Sequence, residues 1–175
     1  MKKMITLFLL ATCISYAQEE RADIFSRKHE VKVGAIKLLA GPIFEGTYEY
    51  IQSKDFTYGV SLLGNLDSGN DYYEDFSVTP FARFYFQETK EFGAKGFFVE
   101  GFAKYSSGRN TTDDYYDSNS VKYNAAALGL SLGKKWINRT GFVFEVLVGV
   151  GRTLGNSDAM PDAIFRGDLN LGYRF

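Results

Sequence analysis

Ten charged residues recur on alternate positions of otherwise apolar or small segments, and they are the side chains best able to do chemistry. Glu145 is opposite a run of Phe and Val residues, and Arg83 alternates with apolar neighbours. Charges sharing one face can form an ion-pair network or line a path for ions or protons. The ten are Lys32, Glu45, Glu49, Arg83, Glu100, Lys104, Glu145, Arg166, Asp168 and Arg174.

His29 is the one histidine, and it precedes the first alternating segment. A catalytic histidine needs a serine or carboxylate placed to share its proton. Ser61 and Ser131 lie in strand-like segments, but no spacing pairs them with a base. We therefore expect no enzyme. The absence of a Cys or His cluster and of a phosphate-binding glycine loop likewise predicts neither metal nor cofactor.

Two polar stretches, 67–75 (DSGNDYYED) and 108–120 (GRNTTDDYYDSNS), place acidic residues around a Tyr-Tyr pair. Tyrosines in adaptable polar loops make good contact surfaces for proteins or sugars. Clustered carboxylates can also hold calcium or bridge cations to lipopolysaccharide, although the spacing is not that of an EF-hand. A solvated, variable loop is the simpler alternative. The candidate contact residues are Asp71, Tyr72, Tyr73, Asp113, Asp114, Tyr115 and Tyr116.

The elements that would position these residues are eight segments of period two, separated by turn residues. A tilted strand crosses a bilayer in about 9–11 residues, and bacterial barrels have an even number of strands. The pattern therefore predicts an all-β fold, an eight-stranded antiparallel up-and-down transmembrane β-barrel. The segments are Glu30–Leu39, Ile43–Gln52, Phe56–Leu66, Phe76–Gln87, Gly96–Ser106, Tyr123–Trp136, Gly141–Thr153 and Ala163–Phe175.

One face of these segments is apolar, and the other is polar, charged or small. A soluble barrel shows the same alternation with its apolar face inward. Aromatics near the segment ends favour the reverse, because such girdles mark the bilayer interfaces. Short connections alternating with long ones also fit periplasmic turns and outer loops, although 40–42 is too short for an outer loop. The girdle residues are Tyr48, Tyr50, Phe56, Tyr58, Phe84, Phe86, Trp136, Tyr173 and Phe175.

The N-terminal residues have the features of a secretory signal. Two lysines precede an apolar run from Ile5 to Ile14, and Ser15-Tyr16-Ala17 offers small residues for cleavage. We predict a signal peptide over 1–17, a short periplasmic lead over 18–28 and the barrel over 29–175. A lipoprotein signal using Cys13 is the alternative, but Thr12 fits poorly before a lipidated cysteine.

The predicted mature chain of 158 residues carries 18 basic and 21 acidic residues. This balance argues against a nucleic-acid partner. After the signal, no apolar run is long enough for a transmembrane helix.

Several stretches resemble the outer-membrane β-barrel proteins of unknown function found in Bacteroidota. They are TPFARFYF (79–86), GFFVEGFAKYSSG (96–108), LGLSLGKKW (128–136) and the run from Gly141 to Phe175. The resemblance implies a barrel and an outer-membrane location but no established chemistry. It also implies that Tyr173 and Phe175 form the C-terminal signal read by the barrel assembly machinery.

Together these features predict a monomer in the outer membrane of a Gram-negative bacterium. An eight-stranded barrel has an interior that side chains just fill, so we expect ion pairs to plug the polar lumen. The expected role is structural or surface-interacting, through outer loops whose ligand is unknown, with lipid and lipopolysaccharide as partners. The alternatives are a small porin-like channel or lipid-modifying barrel enzyme, and a soluble lipocalin-like carrier.

Overall fold

The computed structural model describes residues 26–67, 72, 74–86, 93–114, 117–154 and 162–175, with only the backbone for 40, 110–114 and 117–121. Eight antiparallel strands form a closed up-and-down barrel, in which β1 pairs with both β2 and β8. The predicted eight-stranded barrel is confirmed. The elements are β1 (His29–Gly34), α1 (Ala35–Ala40), β2 (Ile43–Ile51), β3 (Phe56–Asn65), β4 (Glu74–Phe86), β5 (Gly96–Asp114), β6 (Asp117–Ile137), β7 (Phe142–Leu154) and β8 (Ala163–Arg174).

The two rims of the barrel differ. At one rim, called the turn end here, short turns join β2 to β3 and β6 to β7, and His29 and Phe175 exchange backbone hydrogen bonds of 3.2 and 2.8 Å. The opposite rim, called the loop end, carries α1 and the connections that follow Asn65 and Leu154. Among the described residues, no helix is both long and apolar enough to cross a bilayer.

The alternation along each strand separates the two surfaces of the barrel wall. On β4, Phe81, Arg83 and Tyr85 are buried, whereas Phe84 and Phe86 are more than half exposed. On β6 and β7, Leu130 and Val150 are 65% and 66% exposed. Successive side chains of a strand point to opposite faces, so the apolar face is outward and the charged face inward.

The first predicted strand, Glu30–Leu39, is wrong in its second half. β1 ends at Gly34, and residues 35–40 form α1. Alanine, leucine and lysine are good helix formers, and Asp168 of β8 accepts a 3.0 Å hydrogen bond from the backbone N–H of Ile36. The connection between β1 and β2 therefore includes a whole helix, and it is longer than the turn expected at 40–42.

The predicted loop 108–120 is also wrong, because pairing continues through most of it. Residues 109–114 of β5 pair with 117–122 of β6. β4 and β7 accompany this hairpin only as far as Gly108 and Ala126. At about 3.4 Å per residue, six further pairs extend about 20 Å beyond the wall. The sequence of this ribbon is polar, with acidic residues, Asn, Ser and Thr in place of an apolar face, so alternation gave no sign of the pairing.

Three inward phenylalanines each lie over a glycine on the adjacent strand. Phe81 is opposite Gly59, Phe98 is opposite Gly133, and Phe102 is opposite Gly129. These rings are at most 4% exposed. A glycine leaves room for a neighbouring ring to lie flat against the backbone, which lets large rings fit in a narrow interior.

We expect Gly133→Ala to lower the free energy of unfolding by about 1–3 kcal/mol. Its Cβ would lie 2.3 Å from Phe98 Cζ and 2.6 Å from the Val146 carbonyl oxygen, so ring and backbone would both have to shift. Urea unfolding in lipid vesicles measures the effect. Gly101→Ala is the control, because its Cβ would meet only Leu130 Cδ2, at 4.0 Å. Equal stability of the two variants would contradict this packing.

Candidate functional site: the charged barrel interior

The interior holds equal numbers of opposite charges among the residues that the structure describes. Seven cationic and seven anionic side chains line it, and all are buried except Lys37, which is 17% exposed. Burial removes water from charges, so each must be compensated inside the wall. The cations are Lys32, Lys37, Arg83, Lys104, Lys135, Arg166 and Arg174, and the anions are Glu30, Glu45, Glu49, Glu74, Glu100, Glu145 and Asp168.

Arg83 occupies the middle of the interior and pairs with three carboxylates. Its Nε donates to Glu100 at 2.7 Å, and its Nη1 lies 2.7 Å from both Glu49 and Glu145. The flat faces of the guanidinium lie 4.3 Å from the ring centre of Phe81 and 4.5 Å from that of Phe98. Arginine suits this position because its planar fork can serve several carboxylates and stack on rings.

Glu49 joins the middle of the barrel to the turn end. It accepts hydrogen bonds from Thr57 at 2.6 Å, Tyr85 at 2.9 Å and Lys135 at 2.8 Å. Lys32 bridges Glu49 and Glu145. These donors come from strands on different sides of the barrel, so the network ties the wall together across its lumen.

Arg174 closes the network at the turn end. Its Nε donates to Glu30 at 2.7 Å, while its Nη1 and Nη2 donate to the carbonyl oxygens of Gly93 and Ala94 at 2.8 and 3.2 Å. Ala94 is fully buried and packs in a cluster with Ile51, Tyr85, Phe98 and Leu147. The end of the β4–β5 connection therefore lies across the turn-end mouth.

Arg166 extends the network towards the loop end. It donates to Glu100 at 2.9 Å, to Glu45 at 3.3 Å and to the Ser61 hydroxyl at 3.1 Å. Lys37, brought inward by α1, pairs with Glu45 and lies 3.5 Å from Asp168. Ion pairs thus run without interruption from the turn end to α1.

Lys104 and Glu74 form a separate pair near the loop end, with Ser77 donating to Glu74 at 3.4 Å. Within the described part of the chain, two buried carboxylate oxygens lack a hydrogen bond: Glu74 Oε1 and Asp168 Oδ2. Each nevertheless faces a lysine ammonium, Lys104 and Lys37 respectively. Neither oxygen is therefore an unpaired charge.

The carboxylates and serines of the described network already have partners. Every carboxylate in it is compensated by a cation, and Ser61 and Ser131 donate or accept within the same network. Within the described ranges, no group of three or more His, Cys, Asp and Glu side chains could hold a metal ion.

His29 is on the outer surface rather than in the interior. Its Nδ1 is 2.7 Å from the Tyr48 hydroxyl, and its ring stacks on Phe175 with centres 5.9 Å apart. Tyr50 lies against its edge at 5.3 Å. These contacts describe an aromatic surface cluster rather than a catalytic dyad.

The structure places all ten of the singled-out charged residues in the interior and pairs each with an opposite charge. Sequence reasoning missed four more: Glu30, Lys37, Glu74 and Lys135. Glu30 and Lys135 share the parity of Lys32 and Ser131, so alternation could have found them. Glu74 could not be found in this way, because a bulge between Glu74 and Phe76 shifts its parity.

The predicted outer-loop contacts lie largely outside the described part of the chain. Asp71, Tyr73, Tyr115 and Tyr116 are not among the described residues, and Asp113 and Asp114 are described by backbone alone. Tyr72 is half-buried. Tyr173 and Phe175 face outward at the turn end, 38% and 55% exposed.

Comparison with known proteins supports the fold and nothing beyond it. No protein-family model matches the sequence, and no curated protein matches it. A solved structure is similar: the N-terminal β-barrel domain of Pseudomonas aeruginosa OprF. The match has a TM-score of 0.55 and 13% sequence identity, covering 85% of this chain and 98% of the OprF domain. The two chains share a barrel architecture at an identity too low to carry function from one to the other.

Proposed function

We propose that this protein is a small outer-membrane β-barrel with a plugged lumen and a structural or surface-interacting role. The observation that carries the proposal is the continuous apolar outer wall. Soluble proteins rarely expose contiguous apolar patches beyond a few hundred Å². Here exposed aliphatic and aromatic residues cover the outer face of the wall while charges fill its inside. The exposed aliphatic residues include Val31, Leu62, Leu128, Leu130, Leu132, Val148, Val150 and Leu171.

The height of this apolar wall suits a bilayer. On the outer face of β7, ten residue steps separate Phe142 from Arg152. They span about 33 Å along the strand, or about 25 Å along the axis of a barrel with strands tilted by about 40°. Outer-membrane barrels have an apolar band about 25 Å tall. A lipocalin-like carrier needs the opposite arrangement, with the apolar face inward.

Aromatic residues gather at the turn-end boundary of this wall. Trp136 and Phe144 pack with ring centres 5.4 Å apart, and Phe84 and Phe86 pack at 5.3 Å. Such girdles sit at the headgroup level. The proposal therefore places the turn end at the periplasmic face, with outer-membrane lipid around the wall.

The filled interior supports a structural role over conduction. Arg83, Glu49 and Glu145 are at most 1% exposed and bonded to one another across the lumen. A conducting path needs water or mobile sites between its charged groups. We therefore expect no stepwise conductance when the purified barrel is added to a planar bilayer. Reproducible unitary currents would favour the channel alternative.

The projecting hairpin of β5 and β6 supports the surface-interacting part of the proposal. It extends beyond the loop end, which faces outward in this orientation. In the proposal, lipopolysaccharide is the neighbour of this rim, and Tyr173 and Phe175 on the outer wall of the last strand are the residues that the assembly machinery reads.

Membrane fractionation of the expressed protein tests the proposal. We expect the protein to stay in the outer-membrane fraction after a carbonate wash and to migrate differently in unheated and boiled samples. Release as a soluble periplasmic or extracellular protein would overturn it. A change in the mass of lipid A on expression would favour the enzyme alternative.

A further inference from the structure

The turn end carries a basic surface just beyond the aromatic girdle. Among the described charged side chains that lie at this end and outside the buried network, Asp55 is acidic and the others are basic. Glu88 and Glu91, in the same connection as Lys90, lie outside the described residues. The basic side chains are Arg27, Lys28, Lys54, Lys95, Lys134 and Arg139, each at least partly exposed.

Part of this surface forms a pocket. A cavity of about 180 Å³ opens at the turn-end mouth, lined by Arg27, Lys28, Lys54 and Arg174 together with Ile51 and Gly93. A single buried water needs a cavity of about 10–15 Å³, so there is room for a headgroup. Glu30 compensates Arg174. Arg27 and Lys28 lie at the rim, where no described carboxylate pairs with either side chain.

The pocket also lies at a defined depth. Lys28 immediately precedes His29, whose ring contacts Tyr48, Tyr50 and Phe175. Arg27 holds its place by donating from Nη1 to the carbonyl oxygens of Thr140 and Arg174, each at 3.2 Å, and lies over the Tyr173 ring. Aromatic side chains of this kind sit among lipid headgroups. The cations of Arg27 and Lys28, which directly precede His29, are therefore at the level of the lipid phosphates.

A second cation follows the same rule on another side of the barrel. Lys134 of β6 faces outward, with its ammonium 4.5 Å from the Phe97 ring centre and 5.2 Å from that of Trp136. Lysines at a membrane boundary direct the ammonium to the headgroups while the stem covers apolar surface. The positive charge of the turn end is therefore part of the girdle on β6 as well as of the segment before β1.

We propose that the pocket lined by Arg27, Lys28 and Lys54 binds the phosphate of an anionic phospholipid headgroup in the leaflet at the turn end. This inference rests on the proposed membrane location, which fixes the leaflet. The phosphate accepts hydrogen bonds from the cationic rim, while the acyl chains follow the apolar outer wall below Tyr50 and Phe175. Arg174 and Gly93 form the floor.

The inference is tested by using native mass spectrometry to measure the affinity of the full chain, in detergent, for phosphatidylglycerol. A basic residue near an anionic surface contributes about 1 kcal/mol, equivalent to about fivefold in affinity. We expect Lys28→Gln to weaken binding about 5-fold and Lys28→Glu about 25-fold, with Lys28→Arg close to wild type. Phosphatidylcholine, which carries no net charge, should bind weakly and respond little to these changes.

Arg139→Gln is the matched control, because Arg139 is exposed at the same rim but does not line the pocket. An equal loss from Arg139→Gln and Lys28→Gln would overturn the pocket and indicate diffuse attraction. Inorganic phosphate that binds with the same Lys28 dependence, without added affinity for the lipid, would overturn the lipid assignment. Absence of lipid preference in a detergent-dependent, heat-modifiable barrel would refute this inference alone, whereas a soluble protein would refute the proposed function.

Discussion

Replacing Arg83 with alanine is expected to lower the free energy of unfolding by about 3–5 kcal/mol. Among the residues that the structure describes, the interior holds seven charges of each sign, and removing Arg83 leaves Glu49, Glu100 and Glu145 with one compensating charge too few. Surplus charge in a closed interior has no water to stabilise it. Urea titration of the barrel in lipid vesicles, followed by the fluorescence of the single tryptophan, Trp136, measures the change.

The double variant Arg83→Ala/Glu145→Ala separates charge balance from lost volume. It restores equal numbers of opposite charges, so its loss should be smaller than the sum of the two single losses by about 1–3 kcal/mol. Simple additivity would mean that the interior pairs act independently and would contradict a network. Lys122→Ala, at an exposed position of the projecting hairpin, is the control and should change stability little.

Introducing arginine at Leu130 is expected to destabilise the membrane-inserted barrel by about 2–4 kcal/mol. Leu130 is 65% exposed, faces outward and lies near the middle of the apolar wall. Arginine there would have to enter hydrocarbon, which is costly at the midplane and mild near the interfaces. Urea unfolding in vesicles of phosphatidylcholine measures the difference from wild type.

Asn124→Arg is the matched control for Leu130→Arg. Asn124 lies on the same strand and the same outer face, three side-chain repeats nearer the loop end, where the wall turns polar. We expect it to change stability by less than about 1 kcal/mol. If both arginines were tolerated equally well, Leu130 would not lie in hydrocarbon, and the membrane proposal would lose its main support.

Periodicity made most of the wall predictable. Five of the eight strands, β2, β3, β4, β7 and β8, begin and end close to the predicted segments, and β5 and β6 do so except where their shared hairpin extends further. The agreement arises because a wall with one apolar and one polar face alternates at every residue. The same parity placed Arg83, Glu145 and Arg166 on one face. Where parity fails, at the bulge before Phe76 and at Lys37 in α1, the sequence contained no signal for the interior position.

Lys37 shows why the tertiary structure was needed. In an extended strand its parity is opposite to that of Lys32, which would direct it outward. The helical turn at 35–40 brings it inward, because Asp168 on β8 bonds the start of the helix and Glu45 on β2 receives the ammonium. Asp168 is far from the helix along the chain, and Glu45 lies on the next strand. A pattern within one segment cannot identify either partner.

By itself, the sequence determined the number of strands, their alternation and the chemical character of each face, since these depend on residue type and local spacing. Aromatic residues near the strand ends also indicated that the apolar face is outward, as the barrel shows. The tertiary structure alone decided which carboxylate meets which cation, and how the 93–95 segment and α1 approach the two mouths. These features depend on strand register around a closed ring, where side chains far apart in the chain become neighbours. The balance between positive and negative charges exists only in that closed interior, because no single segment contains all of the paired residues.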